Sequence, residues 1–198
     1  MGLILNYLKG QTPIDEEEKE GLKILTISSQ SELNEFEQLN IENALQWIYS
    51  KKLNPSQLFN EKFICQLHHR MFGNVWSWAG KFRKTNKNLG VAPHQIAVQL
   101  KTLCDDALFW IENGTYAPDE IAIRFKHRIV SIHCFSNGNG RHSRILADIV
   151  IEKLFSKKPF TWGSTDLTQG DQVRKCYLAA LKAADLNHFE PLLAFSRT

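Results

Sequence analysis

Twelve consecutive residues, His133-Cys134-Phe135-Ser136-Asn137-Gly138-Asn139-Gly140-Arg141-His142-Ser143-Arg144, have the types and spacing that could do chemistry. Gly138 and Gly140 free the backbone to turn its N–H groups toward one point. If a helix follows, it adds unpaired N–H groups and the positive end of its dipole at the same place, which is a corner that binds phosphate. Arg141 and Arg144, three apart, would lie on one face of that helix and could reach the same anion. His133, at the end of the preceding segment, could act as a base beside the bound phosphate.

Two apolar segments must position this stretch. Ile121 to Ile132 runs into it and Arg141 to Phe155 runs out of it, and both read as helices, the first apolar nearly all round and therefore central. Upstream, Ser29-Gln30-Ser31-Glu32 is a capping box that opens a helix to about Tyr49, with Leu33, Phe36, Ile41, Ala44, Leu45 and Ile48 as its buried stripe. Asn54-Pro55 starts another turn, and Phe63, Ile64, Leu67 and Met71 face inward on a helix from about Asn60 to Phe72. Pro93 to Asn113, Gln172 to Ala184 and Phe189 to Phe195 complete roughly seven helices with no extended sheet, so the expected class is all-α. Residues 1–28 show no period and carry the acidic cluster Asp15 to Glu18, which reads as a solvated arm before a domain over 29–198.

Composition narrows the function classes. At 198 residues the chain reads as one domain beyond its arm, and a net charge of +3 is too mild to argue for direct nucleic-acid binding. No run approaches membrane-spanning length, and the apolar start, Leu3 to Leu8, is too short for a signal segment. Cys65, Cys104, Cys134 and Cys176 are scattered without metal-type spacing, so reduced thiols and a cytoplasmic location are expected. His68 and His69 are adjacent and point about 100° apart on a helix, so they cannot share a metal and read as structural or surface residues. His142 reads as a surface residue, Ser143 as structural, and Trp76, Trp78 and Phe82 as a packing corner.

Written as H-x-F-x-x-G-N-G-R-x-x-R, the central stretch resembles the signature of the Fic/Doc family, H-P-F-x-[D/E]-G-N-G-R-x-x-R. Seven specified residues at fixed spacing arise by chance about once in 10⁹ starting positions. The longer chain, with its Trp76-Ser77-Trp78-Ala79-Gly80-Lys81-Phe82-Arg83 run, looks most like the subfamily called mobile mystery protein B. The resemblance implies a Fic-type helical bundle with a small β-hairpin flap, here at about Lys84 to Val91, on which a target protein docks by strand addition. It implies a nucleotidyltransferase that uses ATP and Mg²⁺ to place AMP on a Ser, Thr or Tyr hydroxyl of that target. His133 would take the hydroxyl proton. Asn137, Gly138, Asn139 and Gly140 would line the nucleotide. Arg141 would neutralise the leaving phosphates, and Arg144 would hold the terminal phosphate or an inhibitory carboxylate.

Two departures stand inside the motif, Cys134 for proline and Asn137 for the acid. The family's acid binds the Mg²⁺ ion, whereas Asn offers one neutral oxygen, so metal at Asn137 would be weak or water-mediated. A Fic-fold phosphotransferase with another product, or a non-catalytic nucleotide-binding domain of a mobile-element toxin–antitoxin pair, are therefore the alternatives. Many relatives are restrained by a glutamate in a Ser/Thr-x-x-x-Glu-Gly/Asn helix that pairs with the second arginine. Here Glu35 and Glu37 each fit that pattern in part. The subfamily resemblance also implies a helix-turn-helix companion protein.

Overall fold

The computed structural model describes residues 13–163 and 171–198, and its described residues form nine α-helices and one 3₁₀ turn without a sheet. In chain order the α-helices are α1 (Glu16–Lys19), α2 (Gln30–Tyr49), α3 (Pro55–Leu58), α4 (Glu61–Phe72), α5 (Ile96–Glu112), α6 (Pro118–Ile132), α7 (Asn139–Phe155), α8 (Asp171–Asp185) and α9 (Glu190–Ser196). The 3₁₀ turn, Pro93–Gln95, leads into α5. Among the described residues the extended pairing is a single antiparallel bridge, Leu22 with Trp76.

Local chemistry sets the helix starts. Ser29 accepts from the Glu32 N–H while the Glu32 carboxylate reaches back to the N–H groups of Ser28 and Ser29, the capping box expected for α2. Asn54 caps α3 with Pro55 at its first position, and Pro118 opens α6. α6 and α7 pack side by side at the centre, flanked by α4 and α5, with α2 laid along α4. The core between them includes Leu67, Met71, Phe125, Phe135, Leu146 and Val150, all fully buried. α8 and α9 close the far side, and the fully buried Lys126 of α6 donates to the Tyr177 hydroxyl of α8 at 2.5 Å.

The arm differs from the solvated expectation over residues 13–28; residues 1–12 lie outside the described residues. Ile14 and Ile27 are buried in the core, Lys23 N donates to the Val75 carbonyl, and Ser77 N donates to the Gly21 carbonyl. Two acids of this segment share a basic partner 72 and 69 residues away in sequence: Lys87 Nζ lies 2.7 Å from Asp15 and 2.5 Å from Glu18. A sequence-distant cation is what turns an apparently exposed acidic cluster into a docked one.

The hairpin expected at Lys84 to Val91 is also corrected, since that stretch is an irregular loop with no strand. Its main-chain hydrogen-bonding is directed at the end of α6, where Val91 N donates to Ile132, rather than across a two-stranded ladder.

Candidate functional site

The loop between α6 and α7 is built on Phe135. This ring is fully buried, lies 3.7 Å from the His68 ring in a stacked arrangement, and meets His142 edge-on at 5.3 Å. Gly80 N–H donates to His68 Nδ1, so the other ring nitrogen carries the proton and Nε2 donates to the Asn137 carbonyl at 3.0 Å. Burial among apolar rings, with His142 nearby, holds the His68 pKa well below its ordinary value, so the ring is a neutral strut. His142 is buried as well, not at the surface as its sequence position suggested. Its Nε2 donates to the Ile64 carbonyl, and burial pushes its pKa down to about 3. Both histidines brace the loop from beneath, and neither is exposed to a ligand.

Asn139 is a second brace. Its side chain accepts from Phe135 N–H at 3.0 Å and donates to the Phe135 carbonyl at 2.7 Å. Gly138 takes φ +77°, and a Cβ there would lie 2.6 Å from the Phe72 ring, so both backbone and packing demand glycine. Gly140 is different: a Cβ there would face open space, with Arg144 Nη1 at 3.9 Å as its nearest neighbour. Since no side chain caps the start of α7, its first N–H groups and the Gly140 face form an open cradle for an anion. Asn137 Oδ1 accepts from Gly138 N–H at 2.7 Å, which uses one N–H of the expected set inside the loop.

His133 ends α6 in the left-handed region, φ 58° and ψ 59°, an uncommon conformation for a residue with a side chain. It is only 6 % exposed. Burial, with the cations Arg83 and Lys87 nearby, lowers its pKa to about 4, so the imidazole is neutral at pH 7. The Gly90 backbone covers it so closely that a Cβ there would lie 2.5 Å from His133 Cβ.

The two arginines have separate settings. Arg141 lies over the Phe72 ring at 4.8 Å, and its Nη1 is 2.6 Å from Glu37 Oε2. Glu37, on α2, is buried and also accepts from Trp76 Nε1 at 2.6 Å. Glu35 points to solvent, and among the described residues it meets Ser31, whose hydroxyl donates to it at 3.5 Å. Glu37 is therefore the glutamate that reaches the motif, and it engages the first arginine rather than the second. Arg144 lies 5.8 Å from the centre of the Tyr177 ring. Of the expected set, the structure thus joins Arg141 to Glu37, places Gly140 beside Arg144, and turns Asn137 and Asn139 onto their own loop. Sequence reasoning missed His68 as a loop support and Trp76 as the residue that orients Glu37. The partners of the His68 imidazole and the Trp76 indole, the Asn137 carbonyl and the Glu37 carboxylate, lie 69 and 39 residues away, beyond any local pattern.

Residues 58–151 match the family model described as Fic/DOC family. That span, a little under half of the chain, is a Fic/DOC-like domain. The chain is 26 % identical over 132 residues to the protein adenylyltransferase Fic of Nematostella vectensis, a match covering 64 % of this chain and 31 % of that protein. It is 27 % identical over 140 residues to the protein adenylyltransferase fic-1 of Caenorhabditis elegans, covering 67 % and 25 %. The matches thus span about a quarter to a third of the length of these relatives. Among solved structures, the C. elegans Fic-1 fragment aligns with a TM-score of 0.64 at 24 % identity, over 80 % of this chain and 46 % of that one. The Bartonella tribocorum protein BepC, solved with bound AMPPNP, aligns with a TM-score of 0.65 at 16 % identity, over 92 % and 97 %. These likenesses show the fold: a Fic-type helical domain.

Proposed function

We propose that this Fic domain is a protein adenylyltransferase, moving AMP from ATP to a Ser, Thr or Tyr hydroxyl of a target protein, and that Glu37 restrains it. The observation that carries the reading is the pairing of a neutral His133 at the end of α6 with an uncapped α7 N-terminus whose Gly140 face is open toward Arg144. The names of the relatives, protein adenylyltransferases, and the AMPPNP bound to BepC supply the nucleotide class.

ATP suits the cradle. Its phosphates would lie against the N–H groups of Gly140 and its neighbours, with Arg141 and Arg144 as cations, and when bound it supplies an adenylyl group with pyrophosphate as leaving group. His133, neutral at working pH, accepts the proton of the attacking hydroxyl, and the new bond joins that oxygen to the α-phosphorus as the bond to pyrophosphate breaks. Arg141 compensates the charge that develops on the leaving phosphates once Glu37 releases it. For Mg²⁺ the chain offers less. No three His, Cys, Asp or Glu side chains gather into a metal site among the described residues, and Asn137 contributes one neutral oxygen already engaged with Gly138 N–H.

That neutral Asn137 favours one second reading, a phosphotransferase of the same fold with a different product. Intact-mass analysis of the protein incubated with ATP separates the two. An adduct of AMP mass supports adenylyl transfer, a phosphate-sized adduct supports the rival, and no adduct in the Glu37→Gln variant overturns both. The likeness to mobile mystery protein B extends the proposal to a cytoplasmic member of a mobile-element toxin–antitoxin pair with a helix-turn-helix companion. No helix among the described residues is long and apolar enough to cross a membrane.

A further inference from the structure

Arg83 is 3 % exposed, and all its hydrogen bonds run to main-chain carbonyls. Nε donates to His133 at 2.6 Å, Nη1 to Thr85 at 2.8 Å, and Nη2 to Val91 and, at 3.4 Å, to Ile132. These acceptors belong to three places: the first turn of the 84–91 loop, its last residue, and the end of α6. The main chain adds two bonds in the same direction, Arg83 N to the Cys134 carbonyl and Val91 N to the Ile132 carbonyl. A planar fork of donors can bridge three stretches of backbone at once, whereas an ammonium on a flexible stem cannot. The site also suits a cation, because the last carbonyls of α6 carry the negative end of its dipole.

We propose that Arg83 is a positioning residue that locks the 84–91 loop to the backbone of His133, so that the loop covering the base and the base itself move as one body. The inference rests on the adenylyltransferase reading for the role of the base, while the lock itself stands on the geometry. Gly90 supports it independently. At φ +104°, a Cβ there would come 2.5 Å from His133 Cβ and 2.6 Å from Arg83 Nη2, so loop, guanidinium and histidine are packed with no slack. His133 is held in an uncommon backbone conformation at the carbonyl Arg83 grips, which is where a fixed anchor is needed. The charged groups acting on the His133 ring are Arg83 and, more weakly, Lys87, whose ammonium is paired with Asp15 and Glu18.

Two variants test this without any need for transfer activity. Arg83→Met removes fork and charge; Arg83→Lys keeps the charge and removes the fork. Hydrogen exchange followed by mass spectrometry should show the amides of 84–91 and of His133 exchanging about tenfold or more faster in both variants, with α4, α5 and α7 unchanged. In an NMR titration the His133 ring, still held low by burial, should move up part of the way in Arg83→Met and less in Arg83→Lys, a split that loss of packing alone would not produce. Should Arg83→Met fail to fold, Arg83→Lys decides by its exchange. Unchanged exchange in the loop of a folded variant, or exchange that rises throughout the domain, overturns the lock. Failure of the transfer reading would show separately, as a wild-type adduct rate in His133→Ala.

Discussion

Replacing Glu37 by Gln should convert this domain from a restrained to an active form. The substitution keeps the side-chain volume and an oxygen for Trp76 Nε1, now 2.6 Å from Oε1, but removes the charge that faces Arg141 at 2.6 Å. At that distance the gross attraction of two unit charges is about 6 kcal/mol for an effective dielectric of about 20. Much of it is not recoverable. The Arg141 side chain is 34 % exposed and keeps water as an alternative partner, and a neutral hydrogen bond from the Gln oxygen persists. A net ~1–2 kcal/mol is therefore the competition a nucleotide phosphate no longer meets at Arg141, equivalent to roughly 5- to 30-fold in affinity. Calorimetry with ATP on parent and variant reads this number, and intact-mass analysis reads whether an adduct of AMP mass accumulates faster. Glu35→Gln is the matched control, since Glu35 is exposed and its partner is Ser31 of its own helix, not Arg141. Equal ATP affinity in Glu37→Gln and the parent, with Trp76 fluorescence unchanged, would refute the idea that the carboxylate and the phosphates compete for one arginine.

Other expectations follow from the same geometry. His133→Ala should leave ATP binding intact and lower transfer by about 10²–10⁴, checked by calorimetry and adduct rate in parallel. Gly138→Ala should be destabilising by roughly 1–3 kcal/mol in urea denaturation, because φ is +77° and the new methyl would lie 2.6 Å from the Phe72 ring. Stability should fall on acidification. His133 and His142 are held near 4 and 3 in the fold, below the unfolded value of 6.5, so the unfolded chain binds more protons as pH drops below 6.5. The loss runs toward pH 4 for both and on toward pH 3 for His142, at up to about 1.4 kcal/mol per pH unit per histidine, and urea midpoints that do not change between pH 7 and 5 would contradict it. Asn137→Asp should raise the dependence of ATP binding on Mg²⁺, because a carboxylate adds an anionic ligand at nearly unchanged size while repelling phosphates without metal.

The motif and its two central helices were legible because both are local: glycines and arginines at fixed spacing, and apolar periodicity from Ile121 onward. The remaining site was not, because its groups meet across long separations. Glu37 lies 104 residues from Arg141, and the pattern that suggests an inhibitory glutamate fits Glu35 and Glu37 about equally well. Burial decides between them, and burial comes from the register of α2 on α4, which sets Leu33, Glu37, Asn40, Ile41 and Ala44 on one face. The histidines mislead for a related reason. His142 is polar by type and adjacent to Arg141, so sequence places it outside. In the fold it fills space beneath Phe135, where one carbonyl acceptor satisfies it. The hairpin at 84–91 was inferred from family likeness alone, with nothing in its own alternation to support strands.

On the proposed reading, restraint at this site would be of two kinds that act on different partners. Glu37 is paired with Arg141 and would bear on the phosphates, whereas the close cover of Gly90 would bear on the hydroxyl, because His133 is buried beneath it. Releasing Glu37 alone should therefore raise nucleotide affinity more than turnover, unless a docked target backbone also displaces the loop from the ring. The docked arm bears on that second step, since Asp15 and Glu18 hold Lys87 within the loop while Thr85 donates to Asp15 at 3.3 Å. These pairs are partly exposed at the acids and weaken with salt, whereas Arg83 is 3 % exposed and its bonds are screened much less. Rising ionic strength should thus loosen the arm before it loosens the loop, which would make the outer face of the loop accessible while its grip on His133 persists.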